Sequence, residues 1–160
     1  MFLSVTGART GAIRGESQDS EHKDEIEVLA WSWGMQGKPS LGGGGASGKS
    51  TRRELRITKR VDRASTALMS ALRNNEEIKQ ATLTIRKIGA TGHKMECLTI
   101  KIESGRVMSL DIEAGDASNA PTLLERVSFS FNRITVDYTP QGPDGRPLGT
   151  LGFTDEWTPG

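Results

Sequence analysis

Gly43-Gly44-Gly45-Ala46-Ser47-Gly48-Lys49-Ser50 matches G-x-x-x-x-G-K-S letter for letter. In that pattern backbone amides cradle phosphate, the lysine reaches the outer phosphates and the serine holds Mg²⁺. The same run also satisfies G-x-G-x-x-G, because polyglycine fits almost any glycine template. The chemistry needs a buried strand before the loop and a helix N-terminus after it. Here Gln36-Gly37-Lys38-Pro39-Ser40-Leu41 precedes the run and an alternating basic segment follows. No second strand ending in a Mg²⁺-binding Asp is evident. A P-loop-like nucleotide-binding protein using Gly43–Ser50 is therefore only an alternative, and the run reads as a flexible glycine loop.

His22 sits among Ser17, Asp19, Glu21 and Asp24, a composition that a triad or metal site could draft. Two histidines and one cysteine in 160 residues leave little to build with. His22 and His93 are expected at the surface and Cys97 as a small packing residue. No catalytic, cofactor-binding or metal-ligating residue is expected, and no enzyme activity. Trp31 and Trp33 stand at strand spacing and read as core.

Charge is distributed unevenly around a net of +1. Segment 16–27 carries Glu16, Asp19, Glu21, Asp24, Glu25 and Glu27 against Lys23. Segment 49–63 carries Lys49, Arg52, Arg53, Arg56, Lys59, Arg60 and Arg63 against Glu54 and Asp62. Two solvated faces explain this simply. The sharper reading is complementarity between copies, a head-to-tail contact that closes into a ring or extends into a tube. Such association should weaken with salt. The near-neutral total disfavours a nucleic-acid binder, which rests on many unpaired Lys/Arg. A small β-barrel nucleic-acid module on Arg52, Arg56 and Arg60 would also need exposed aromatics for stacking. Phe, Trp and Tyr make only 5% of the chain and stand mostly at core phase.

The elements that must position these residues are mostly strands. Leu29, Trp31, Trp33 and Met35 alternate with Ala30, Ser32 and Gly34. Leu55 and Ile57 alternate within 52–60, and Ala81, Leu83 and Ile85 within the next such run. Leu98, Ile100 and Ile102 follow, then Met108, Leu110 and Ile112. Val127, Phe129 and Phe131 are in one phase and Ile134, Val136 and Tyr138 in the other, so a bulge or sharp bend is expected at Asn132-Arg133. Leu148, Leu151 and Phe153 suggest a last short strand beyond the turn-rich 140–145. Ala64, Ala67, Leu68, Ala71 and Leu72 form the one helical stripe, capped by Asp62 or Ser65 and ended by Asn74-Asn75. The expectation is a mainly β chain with about eight strands and one α-helix, an antiparallel β-barrel or two packed sheets. Residues 1–160 read as a single domain that includes the Gly-rich loop 36–51 and a C-terminal turn and strand at 141–160. No stretch approaches a membrane span, and Met1–Gly7 lacks the basic and apolar regions of a secretory signal.

Several separated motifs carry a resemblance. Gly15-Glu16-Ser17-x-Asp19-x-x-His22-x-x-Glu25-Ile26-Glu27-Val28-Leu29-Ala30-Trp31-Ser32-Trp33-Gly34 is followed by the Gly42–Gly48 run. Then come Thr58-Lys59-x-Val61-Asp62-x-x-Ser65-x-x-Leu68-Met69, Ala81–Lys87 and the strands of Val127–Gln141. In this order they resemble the haemolysin-coregulated protein (Hcp) family of bacterial type VI secretion, over nearly the whole chain. The resemblance implies a hexameric ring of small β-barrels, stacked into the inner tube of the secretion apparatus. It implies a spike protein, VgrG, as cap, a contractile sheath around the tube and small effectors in the lumen. It implies a cytoplasmic protein that is secreted on firing, with no nucleic-acid or membrane partner. On that basis Ser32 and Ala30 are expected to face the lumen and cargo. Gly42, Gly43, Gly44, Gly45, Arg52, Arg56, Glu16 and Asp19 are expected at ring or stacking contacts.

Overall fold

The computed structural model describes residues 1–37, 50–89, 92–114 and 122–157. Gly42–Gly45 and most of the glycine-loop motif lie outside the described residues. In chain order the elements are β1 (Phe2–Gly7), β2 (Gly11–Ile13), β3 (Ile26–Ser32), β4 (Met35–Gln36), β5 (Thr51–Arg52) and β6 (Leu55–Arg60). Then follow α1 (Ser65–Arg73), β7 (Ile78–Ile88), β8 (Lys94–Ala114), β9 (Leu123–Ser130), β10 (Arg133–Tyr138) and β11 (Leu151–Glu156).

β8 closes the barrel. Its first half pairs with β7 and its second half with β9, antiparallel in both cases. β7 continues through β1, β3 and β6 back to β9, so six strands form a complete cycle. The first half of β8 also carries β10 and then β11, a flap that leaves the barrel sideways. β4 and β5 form a separate two-residue ribbon.

Inward positions of every barrel strand fill the core, with Leu3, Ile26, Leu55, Ile57, Leu83, Ile100, Ile102, Val127 and Phe129 all essentially inaccessible. Burying each side chain of this size contributes about 1.5–3 kcal/mol. α1 lays Ala64, Leu68 and Ala71 onto this core and packs against β8. Its start is set by Asp62, whose Oδ1 accepts the Ala64 N–H at 2.9 Å. Ser65 Oγ accepts the Asp62 N–H in return, at 3.0 Å. Asn75, at φ 51°, ends the helix in the left-handed region, and Glu76 N–H closes the last turn on Ala71 O.

Sequence and structure differ where the alternation slips. A register shift between Val28 and Ala30 lets Ile26, Val28 and then Trp31 all face inward. Leu29 and Met35, read as part of one apolar face, are therefore exposed. The run 52–60 is two strands, because Arg53 N–H turns to bond Gly34 O. The pieces around 98–102 and 108–112 are one strand of 21 residues. It bends at Ser104, where φ is 54°. At Gly105 an added Cβ would lie 1.9 Å from Ser130 O. A second shift after Val107 leaves Met108 and Ile112 exposed while Val107 is buried. The N-terminal strand β1 sits centrally between β3 and β7, with Phe2, Leu3 and Val5 buried. The bend at Asn132 is present: its N–H bonds Glu103 O, and Phe131 and Ile134 are both buried.

Candidate functional site

Alternation dictates a second face on the barrel, opposite the core. Ser32 of β3 stands opposite Arg56 of β6, Arg56 opposite Ser128 of β9, and Ser128 opposite Ser109 of β8. The two serine hydroxyls at the end of this row bond each other at 2.6 Å. The next row across the same strands is Ala30, Thr58, Arg126 and Asp111. Together these side chains, with Trp31, line an open groove of about 550 Å³. Arg126 is held by Glu113, whereas Arg56 is exposed. The face therefore offers hydroxyls, the exposed Arg56 guanidinium and the exposed Asp111 carboxylate. It can take up polar surface of a partner molecule, and it lacks a nucleophile–base pair.

The structure brings Ala30, Ser32 and Arg56 together on one face, whereas the sequence expectation divides them between lumen and ring contact. Arg52 lies elsewhere. Its guanidinium sits 4.1 Å from the Trp157 ring and 5.3 Å from the Phe131 ring. Trp33 closes on the same cluster, 6.4 Å from Phe131. Burial lowers the Arg52 pKa, and the nearby Asp155 opposes that. Glu16 is exposed but its Oε2 accepts the Arg63 N–H at 3.0 Å. Asp19 is paired with Arg86 through both carboxylate oxygens. That bond is the main reason the Asp19 carboxyl is held down at about 2.

Two expectations about charged side chains are corrected. His22 is buried, not at the surface, with its ring stacked 4.6 Å from that of Phe2. Lys59 is fully buried, because it continues the inward series Leu55, Ile57 on β6. Its Nζ lies 2.8 Å from Asp62 Oδ1 and 2.9 Å from Glu125 Oε2. Glu125 stands directly opposite on β9 and also accepts from Ser65 Oγ. The signal was present in the sequence: opposite charges occupy two inward-phase positions on strands that pair.

Neither alternative chemistry gains support. Ser50 is followed by the strand β5, not by a helix that could receive phosphate. The aromatics near Arg52 are engaged with Arg52 itself. No described helix is long and apolar enough to cross a membrane.

Comparison with known proteins agrees with this architecture. Residues 2–138 match the model of the family described as "Type VI secretion system effector, Hcp". The chain is 40% identical over 151 residues to Protein hcp1 of Pseudomonas aeruginosa, covering 93% of this chain and 88% of that one. A crystal structure of an Hcp protein aligns with TM-score 0.83 at 19% identity, covering 99% and 98% of the two chains. A type VI secretion system effector from Yersinia pestis aligns with TM-score 0.74 at 27% identity, covering 97% and 98%. With the family's pattern running through every strand of the closed barrel, the chain belongs to the Hcp family of type VI secretion system effectors.

Proposed function

We propose that this protein is a structural subunit of the type VI secretion tube, a hexameric ring that stacks with others and carries small effectors in its lumen. The observation that supports the reading, beside family membership, is the two-row polar face of β3, β6, β9 and β8. Six copies that turn this face inward would line a channel with Ser32, Ala30, Thr58, Ser109, Ser128 and Arg56. Small side chains keep such a channel open, and hydroxyls bond many polar surfaces without demanding one. Ring and stacking contacts fall to Glu16 and to the segment holding Gly42–Gly45, where glycine permits close backbone approach. Arg52 and Asp19 act there indirectly, through the contacts they make within the subunit. The spike protein VgrG caps the tube, the contractile sheath surrounds it, and the subunit stays in the cytoplasm until firing exports it. The role calls for no catalysis.

Light scattering coupled to size exclusion should give a particle of six times the 17.3 kDa subunit mass. Ser32→Gln should preserve that mass and the ring seen by electron microscopy while reducing effector co-purification. A subunit that stays monomeric at every concentration, alone and with spike and sheath components, overturns the tube reading. Rings that carry all effectors normally with Gln at 32 overturn the lumen assignment.

A further inference from the structure

The geometry points to a divalent transition-metal site, best suited to Zn²⁺, formed by His22, Glu96 and Glu21. The loop between β2 and β3 supplies Glu21 and His22, and β8 supplies Glu96, 74 residues beyond His22. One atom from each of the three lies within 4.8 Å of the other two.

The arrangement around the imidazole carries the inference. Nδ1 lies 2.7 Å from Glu25 Oε2. A carboxylate on the far nitrogen fixes the tautomer and ring direction, as it does behind histidines that ligate metals. With Nδ1–H given to Glu25, Nε2 presents its lone pair to Glu96 Oε1, only 2.8 Å away. At that distance the two atoms share a hydrogen bond; a tetrahedral Zn²⁺ about 2.0–2.1 Å from each would hold them roughly 3.3 Å apart, a small withdrawal for the half-exposed Glu96. The ring cannot turn aside, because it is stacked on Phe2 with the planes 5° apart. Glu96 and Glu21 have 48% and 69% of their side chains exposed, so both oxygens can adjust to a metal and a water can complete four-coordination. One imidazole with carboxylates suits Zn²⁺ better than Mg²⁺ or Ca²⁺, which prefer all-oxygen shells. Arg86 is the competing cation. Its Nη1 is 3.6 Å from Glu21 Oε2, a long contact, while its short bonds go to Asp19. A metal that took Glu21 would displace this contact and leave Arg86 on Asp19. A bound metal would fasten the acidic loop to β8, a role independent of tube assembly.

The test is calorimetric titration of the full chain with Zn²⁺ at neutral pH, repeated with Co²⁺ to read coordination by absorbance. One metal per subunit with micromolar affinity is expected, reversed by a chelator. Glu25→Gln should weaken binding roughly 10–100-fold, the usual cost of losing such a partner. Glu96→Gln should weaken it at least as much. Glu96 is exposed enough that this variant keeps the fold, which circular dichroism would verify. His93→Ala should leave binding unchanged. Absence of Zn²⁺ binding, or binding that survives both Glu96→Gln and His22→Asn, overturns the site and leaves a proton as the bridging cation.

Discussion

A lysine and a glutamate placed opposite each other inside a barrel are costly to bury and costlier to separate. Lys59 is held by Asp62 and Glu125, and Ser65 ties Glu125 to the start of α1. Removing one partner leaves a buried charge alone, so Lys59→Met should destabilise the subunit by about 3–5 kcal/mol. Adding Glu125→Leu should recover much of that loss in urea denaturation. Asp19 gives a pH signature of its own. Its carboxyl is lowered from 3.8 to about 2, chiefly by the hydrogen bond to Arg86. A depressed acid contributes stability above its unfolded pKa and loses it as pH falls through the folded one. Wild-type stability should therefore drop between pH 4 and pH 2 more steeply than that of Asp19→Asn, as followed by acid titration of the denaturation midpoint. Of these residues, Asp19 and His22 were visible as an acidic cluster around a histidine. That His22 would be sandwiched between Phe2, Glu25 and Glu96 was not visible, since Glu96 comes from a distant strand.

Elements were legible where the alternation was unbroken and illegible where one residue slipped. The helix at Ser65–Arg73 is legible from its apolar stripe with Asp62, Ser65 and Asn74-Asn75 at its ends, and the bend at Asn132 from the change of apolar phase. β3 was read with Leu29 inward because a bulge leaves no mark in a run of Val, Leu, Ala and Trp. β8 reads as two strands because its apolar sets, Leu98–Ile102 and Met108–Ile112, are separated in sequence, whereas the chain only bends at Ser104 and continues as one strand. The last strand is fastened by a different device. Trp157 N–H bonds Asn132 O, and its ring lies under the Arg52 guanidinium from β5. A partly desolvated cation–π contact of this kind contributes about 1–2 kcal/mol. Trp157→Ala should release the C-terminal segment to protease several-fold faster while the barrel midpoint shifts little. Arg52→Ala should do the same, and intact kinetics in both would mean that β11 holds by its pairing to β10 alone.

At the scale of the molecule, the charge segments proved less available to partners than their composition implied. Asp19 is spent on Arg86, Lys59 on Glu125 and Asp62, and Arg52 on its aromatic neighbours. Of the charges that could serve contact between copies in the proposed ring, Glu16, Glu27 and Arg60 remain exposed outside the polar face. The ring mass should fall with salt only to the extent that these residues hold it. The double membership of β8 has a mechanical consequence. The first half of this strand is bonded along both edges, to β7 and to β10, and that stretch cannot be peeled away one hydrogen bond at a time. Load directed along it must shear many bonds together. In the tube proposed above, a thrust that falls along β8 would meet a stave able to carry it without opening.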